Sequence, residues 1–475
     1  MRDARRLLPL SGLLFLLLAA FFLALPAQAQ DGGRPRGLPA GPPPLPDDAS
    51  PQASKPFVER SVHMLYSYEG ENIFDGFGWV GMDLGDLTQD GVNDYLITAP
   101  FYPGTAAQQG RVYVYSGADG ALLHAHTGEN GNLLGYSAAP AGDVNADGVP
   151  DYALGAPGRY SLQNAGHVFV YSGSDHTLIR QWSGEDGFMF GSWVDGAGDL
   201  NGDGHDDIVV GAQYYGSTLA APPPDGTGRI YALSGADGDV IWLRDGANAG
   251  DWLGGGVGQI DDVNGDGVPD VVATAAGAND HNGLGYVLSG ADGSVIHSLA
   301  PTPPFTSSGT YGVFFARGGG DVDADGTEDV YIGDYAAVNR DGRVYIYSGV
   351  DGSIIHQFDA AEPSDGVGPG RGVPDVDGDG HDDLVIASWT SFTAADFAGK
   401  VGVYSGADGS LLQLATGNVR LDALGVDALP LGDLDGDGNQ EYMLTAVGLD
   451  FFGLDVGHVY VVTFKTPADV LPGNP

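Results

Sequence analysis

A nine-residue pattern, Asp-x-[Asp/Asn/Thr]-x-Asp-Gly-x-x-[Asp/Glu], recurs seven times in this chain. Its first aspartates are Asp86, Asp143, Asp199, Asp262, Asp321, Asp375 and Asp433, at intervals of 57, 56, 63, 59, 54 and 58 residues. So regular a period means one supersecondary unit repeated along the chain, each copy burying its apolar faces against its neighbours. Any fold proposed for the chain must place seven such units in equivalent positions.

Each unit has three further parts. An aromatic residue or Leu followed by Gly opens it, as in Phe77-Gly78, Phe190-Gly191, Leu253-Gly254 and Tyr311-Gly312. The acidic loop comes next and runs into a short apolar segment: "YLITAP", "YALGAP", "IVVGAQ", "VYIGDY", "LVIASW". A Gly-led alternating run follows, such as "GRVYVYSGADG" at 110–120 and "GRVYIYSGVDG" at 342–352, and then a short strand such as "SIIHQF". Val, Ile and Tyr dominate, turn residues break the runs every few positions, and no segment carries a 3.6-residue period. The reading is all-β: a seven-bladed propeller with four-stranded blades. The last unit ends at "GHVYVVTF" (457–464), one strand short, and "VERSVHMLYSYEGE" (58–71) resembles the missing piece. The strand at about 61–68 is therefore expected to close the ring and leave no open edge.

The acidic loop reads as a cation site. Oxygen donors at positions 1, 3, 5 and 7, with Gly at 6 for the sharp turn, suit a hard cation, calcium before magnesium. The proposed side-chain ligands are, loop by loop, Asp86, Thr88, Asp90 and Asp94; Asp143, Asn145, Asp147 and Asp151; Asp199, Asn201, Asp203 and Asp207; Asp262, Asn264, Asp266 and Asp270; Asp321, Asp323, Asp325 and Asp329; Asp375, Asp377, Asp379 and Asp383; and Asp433, Asp435, Asp437 and Glu441. An EF-hand needs a Glu at position 12. Here that position holds Ile97, Leu154, Val210, Ala273, Ile332, Ile386 or Leu444, so the ninth residue must serve as the last carboxylate. Turns satisfied by Asp side chains alone, without metal, are the competing reading. Affinity is expected to rise with carboxylate count, highest in the fifth and sixth loops and lowest in the first, where Thr88 offers a hydroxyl.

The aromatic-Gly openings, the acidic loops and Gly155-Ala156-Pro157 together resemble FG-GAP repeats, the units of the integrin α-chain propeller and of many secreted bacterial proteins. The resemblance spans about 60–464. It implies up to seven Ca²⁺ ions, each in the hairpin between a blade's first two strands, all on one face of the disc. In integrins the opposite face recognises ligand. Gly-Ala-Pro survives in full once, and the sixth copy reads "VGPGRG" in place of an aromatic-Gly pair.

Composition supports this placement. The formal net charge is −44, from 63 acidic and 19 basic residues, and 27 of the 63 acids lie in the seven loops. Such a balance argues against nucleic acid, whose phosphates need basic partners, and against anionic membrane surfaces. Seven Ca²⁺ would add +14 and bring −44 to −30. There is no cysteine. Residues 1–29 read as a signal peptide: Arg2, Arg5 and Arg6, an apolar run from Leu7 to Leu25, and the site Ala27-Gln28-Ala29. Residues 30–56 form a Pro/Gly-rich linker, 57–464 the propeller, and 465–475 a tail. No stable membrane span is expected after cleavage, and the expected location is secreted or cell-surface.

Three other groups stand out. His124 and His126 share a face of an outer strand and read as a solvated edge. His205 and His381 occupy loop position 7, with side chains expected to point outward. Trp79, Trp193 and Trp252 sit beside the aromatic-Gly openings and read as core, with a sugar-stacking rim as the alternative. No nucleophile elbow, phosphate loop or dinucleotide fingerprint is present. The functional expectation is an extracellular binding, adhesion or scaffold module for a protein or glycan ligand. The alternative is a propeller-based lyase or hydrolase acting on polysaccharide.

Overall fold

The computed structural model describes residues 56–464, except 105–107, 159–165, 185–188, 218–224, 304–307 and 449–455. The signal segment, nearly all of the linker and the C-terminal tail lie outside the described residues. Twenty-eight strands form seven separate antiparallel sheets of four. The second blade is representative: Ser137–Gly142, Asp151–Ala156, His167–Tyr171 and Leu178–Ser183, paired in that order. First strands of successive blades touch one another, which places them around the axis. The result is the seven-bladed propeller expected from the repeat. Two four-residue turns, Ala278–His281 and Ala337–Arg340, are the helical segments among the described residues, and each contains left-handed backbone.

The burial pattern explains why the second strand of each unit is an unbroken apolar run. "DYALGA" and "DIVVGA" are buried at every position because both sheet faces pack against neighbouring blades. Leu96, Val112 and Val114 of one blade share a cluster with Tyr152 and Leu154 of the next. The outermost strands, such as Leu178–Ser183, alternate between partial burial and exposure. Blades are also tied through backbone. Gly110 bridges Leu134 of the following blade, and a Cβ there would lie 2.2 Å from the Leu134 carbonyl oxygen. Gly228, Gly342 and Gly399 make the same bridge.

The ring closes as the sequence implies. Val62–Glu69 pairs antiparallel with His458–Phe464, in register from Val62–Phe464 to Glu69–His458, and becomes the outer strand of the seventh blade. The residues just before it add a clasp on the sixth blade. Phe57 packs edge-on against Tyr460 at 5.2 Å, and the Glu59 carboxylate accepts hydrogen bonds from the Thr416 amide and hydroxyl, both at 2.7 Å.

Candidate functional site

The seven acidic loops all join a blade's first two strands, so they line one face of the disc. In the second loop, Asp143 accepts the N–H groups of Asp147 (3.0 Å) and Gly148 (2.9 Å), and Asp147 accepts that of Val149 (2.9 Å). The glycine at position 6 is left-handed in every loop, with φ between 85° and 93°, a region closed to most side chains. Carboxylate oxygens converge within 4.8 Å in the fifth loop (Asp321, Asp323, Asp325), the sixth (Asp375, Asp377, Asp383) and the seventh (Asp433, Asp435, Glu441). These are the three loops with an acid at position 3. In the other four, Thr88, Asn145, Asn201 or Asn264 stands there, and no such carboxylate triad forms among the described residues.

The ninth residue has a second role that the sequence reading missed. Asp151 has no exposed surface. Its Oδ2 accepts the amides of Val144 (2.9 Å) and Asn145 (3.2 Å), and its Oδ1 accepts that of Gly173 (3.0 Å), in the turn between the blade's outer two strands. The same bond to a turn glycine is made by Asp94 (Gly117), Asp207 (Gly235), Asp270 (Gly290), Asp329 (Gly349) and Asp383 (Gly406). Six Ser-Gly pairs, each just after a third strand, therefore answer six ninth-position aspartates. The seventh blade has no such turn, because its outer strand comes from the N-terminus. Its ninth residue is Glu441, whose Oε2 accepts the Leu434 amide (2.7 Å) and whose other oxygen is buried near cross-strand Thr463. A buried carboxylate beside Asp433 and Asp435 fits a cation donor set. Burial raises the ninth-position acids, Asp151 and Asp207 to about 6 and Asp329 and Glu441 to about 7. A cation would offset that cost.

Positions 7 and 8 link loop to loop around the ring. Asp206 accepts the amide of Asp143 in the preceding loop (2.7 Å), Asp382 accepts that of Asp321 (2.9 Å), and Glu328 accepts that of Asp261 (2.8 Å). The expectation that His205 and His381 point outward is corrected. Their Nδ1 atoms donate to the carbonyls of Val144 and Val322 in the preceding loops, each at 2.8 Å. A histidine at position 7 can therefore brace two loops at once.

The solvated-edge reading of His124 and His126 is also corrected. His126 is buried in the seam between the first two blades. The Tyr152 hydroxyl lies 2.8 Å from its Nε2 and 3.1 Å from His176 Nδ1, and His124 stacks on His176 at 4.7 Å. Burial first, then His124 and His176, lowers His126 to about 3. The sequence spacing missed this because His176 arrives from the next blade.

At the opposite end of the innermost strands, a cavity of about 270 Å³ opens at the mouth of the central channel. Two repeat positions build it. One follows the aromatic-Gly opening: Trp79, Tyr136, Val313, Pro369 and Val426. The other ends the Gly-Ala-Pro segment, and lines the cavity where proline has been replaced, by Gln213, Tyr335, Trp389 and Val447. Phe314 reaches across with φ 72°, touching Trp79 (6.0 Å), Tyr136 (6.0 Å) and Trp193 (5.6 Å). All three tryptophans line the cavity, but Trp193 is core at 4% exposure, whereas Trp79 and Trp252 are partly exposed.

The cavity also holds charge. Asp427 accepts from Arg371 Nη2 (2.7 Å) and from the Gly81 amide (3.2 Å). Arg317 lies 5.9 Å over Trp193, and its buried Nε has no hydrogen-bond partner among the described residues. Burial and then Arg371 lower Arg317 to about 10, and burial raises nearby Asp195 to about 6.

Known proteins place this geometry. The FG-GAP repeat family model matches residues 190–233. Integrin alpha-5 of Xenopus laevis is 35% identical over 176 residues, covering 33% of this chain and 17% of that protein. Integrin alpha-E of Mus musculus is 35% identical over 175 residues, 33% of this chain and 15% of that protein. Phosphatidylinositol-glycan-specific phospholipase D of Bos taurus is 36% identical over 157 residues, 29% of this chain and 18% of that protein. The aligned stretch is thus under a fifth of each relative's length. Among solved structures, a chain in the crystal structure of BBS1N in complex with ARL6DN, soaked with lead, superposes with a TM-score of 0.51 at 10% identity. It covers 86% of this chain and 99% of that one, a likeness of fold alone.

Proposed function

For a chain of FG-GAP repeats resembling the integrin α N-terminal propeller, we propose the role of a secreted, calcium-stabilised binding module with an extracellular protein or glycan ligand. The observation that carries this reading is the contrast between its two faces. Acids at positions 1, 5 and 9 recur in all seven blades, as a structural cation site would, while an active or binding site occurs once. The reading assigns positions 1, 3, 5 and 9 and the carbonyl at 7 to Ca²⁺. It assigns residues 1–29 to export, and the non-repeating channel mouth to ligand. No helix among the described residues is long and apolar enough to cross a membrane.

Two measurements test it together. Chelation of purified protein is expected to lower the melting temperature, and calcium to restore it with saturation. Crystals grown at limiting calcium should lose density first at Asp86–Asp94 and keep it at Asp375–Asp383. A melting temperature indifferent to both chelator and calcium would remove the calcium assignment. Capture of extracellular ligands with and without calcium tests the binding role.

A further inference from the structure

The channel mouth carries information about the chemistry of what it binds. This inference rests on the binding-module reading and narrows it. The aromatic walls offer flat apolar faces, and Trp79, Trp252 and Trp389 contribute indoles from three different blades. Aromatic faces of this kind hold cations, flat apolar groups, or the C–H faces of sugar rings. The polar lining decides among them.

A cation is disfavoured. Arg317 lines the same cavity and Arg371 stands beside it, so the two carboxylates there, Asp427 and Asp195, are already matched by two guanidinium groups, and a further positive charge would be in excess. An acidic ligand is disfavoured too. Asp427 lines the cavity, the Asp195 carboxylate stands close behind Arg317, and the chain as a whole carries −44. A wholly apolar ligand would shield the lining groups Arg317, Asp427 and Gln213 from water and offer them no hydrogen bond, and uncompensated burial of polar groups is costly. What satisfies every wall is an uncharged ring with apolar faces and hydroxyls on its edge. Its hydroxyls accept from Arg317, donate to Asp427, and exchange hydrogen bonds with the Gln213 amide.

We infer that the channel mouth opposite the acidic loops binds the terminal, uncharged sugar of a glycan, stacked on the tryptophans and hydrogen-bonded by Arg317, Asp427 and Gln213. The volume, at the small end of ligand pockets, suits the end of a glycan rather than a long internal stretch. The substitutions of proline by Gln213 and Trp389 in the Gly-Ala-Pro position then have a purpose: each replaces a turn residue with a ligand contact.

The test uses the full chain in calcium buffer, with tryptophan fluorescence and calorimetry as readouts. The probes are neutral trisaccharides ending in glucose, galactose, mannose or N-acetylglucosamine. A glucuronate-ended trisaccharide and an Arg-Lys-Arg tripeptide complete the set. The expected result is saturable binding of at least one neutral sugar, weakened about tenfold or more by Trp389→Ala and by Arg317→Met. Each variant's melting temperature is measured alongside. Trp389→Ala, at the rim, keeps the test decisive if Arg317→Met fails to fold. Leu178→Ser, exposed on the outer strand of the second blade and part of neither site, should bind sugar as the parent does. No neutral sugar bound, or binding indifferent to Trp389→Ala, overturns the inference. Preference for the tripeptide or for glucuronate overturns the uncharged sugar and leaves the binding-module reading standing. Cleavage of a bound trisaccharide would do the reverse, upholding the sugar site and removing the non-enzymatic reading.

Discussion

The two faces of the disc are built by opposite strategies. On the acidic face, one nine-residue turn is stamped seven times, and six of the copies are fastened to the outer turn by the same hydrogen bond. At the channel mouth, two repeat positions hold different residues in nearly every blade, and the cavity exists because they differ. Repetition serves the fold: in six blades the same loop is held against the same outer turn. On the proposed reading, departure from repetition serves recognition, because a single ligand at the axis would meet seven blades at once and need an asymmetric surface. The seventh blade shows the first rule bending under topology. Its outer strand arrives from the N-terminus, so the turn glycine is missing and Glu replaces Asp.

The largest effect should come from opening the ring. A protein starting at Gly70 lacks Val62–Glu69 and the Phe57 and Glu59 clasp. It is expected to be insoluble, or to melt at least ~10 °C lower, because the edge of the seventh blade is exposed. Equal solubility and melting would break the closure.

A smaller effect separates fastening from cation binding within one loop. Asp151→Ala leaves two buried amides and a partly buried one without an acceptor and should cost about 3 kcal/mol in urea unfolding, even in excess chelator. Asp147→Ala, at an exposed position, should cost under ~1 kcal/mol in chelator, and more once calcium is supplied. Equal costs in chelator would erase the distinction between positions 5 and 9.

The acid response of the His126 seam tests packing that belongs to neither face. His126 has its folded pKa lowered to about 3 by burial, against about 6.5 unfolded. The unfolded chain therefore binds the proton more readily. The stability His126 contributes is fully present above pH ~6.5 and is lost as pH falls toward 3, by up to ~4 kcal/mol. Tyr152, Tyr171, His124 and His176 surround it. His126→Phe should flatten that part of the stability–pH curve without changing the calcium response. An unchanged slope would show that the seam does not carry the acid sensitivity.

Much of this was legible beforehand because it is local or periodic. Seven acidic loops at one spacing, apolar second strands and a missing last strand led to seven blades, to the loop's place in a hairpin, and to closure by 61–68. The ninth-position bond to the turn glycine was also written in the sequence, as six Ser-Gly pairs matching six aspartates and one blade lacking both. It is found only by comparing two distant parts of each unit. His205, His381 and His126 were misread for a single reason: their partners sit in the adjacent blade, 26 to 61 residues away.

Sequence alone thus determined the unit, its number, its strand order and the place of the acidic loop between a blade's first two strands, since these follow from turn geometry and alternation within about sixty residues. Tertiary structure alone decided which side chains meet across blade seams and at the axis. Seven chain segments converge at the channel mouth from Trp79 to Val447. No periodicity records that convergence, because the residues gathered there are the ones that do not repeat.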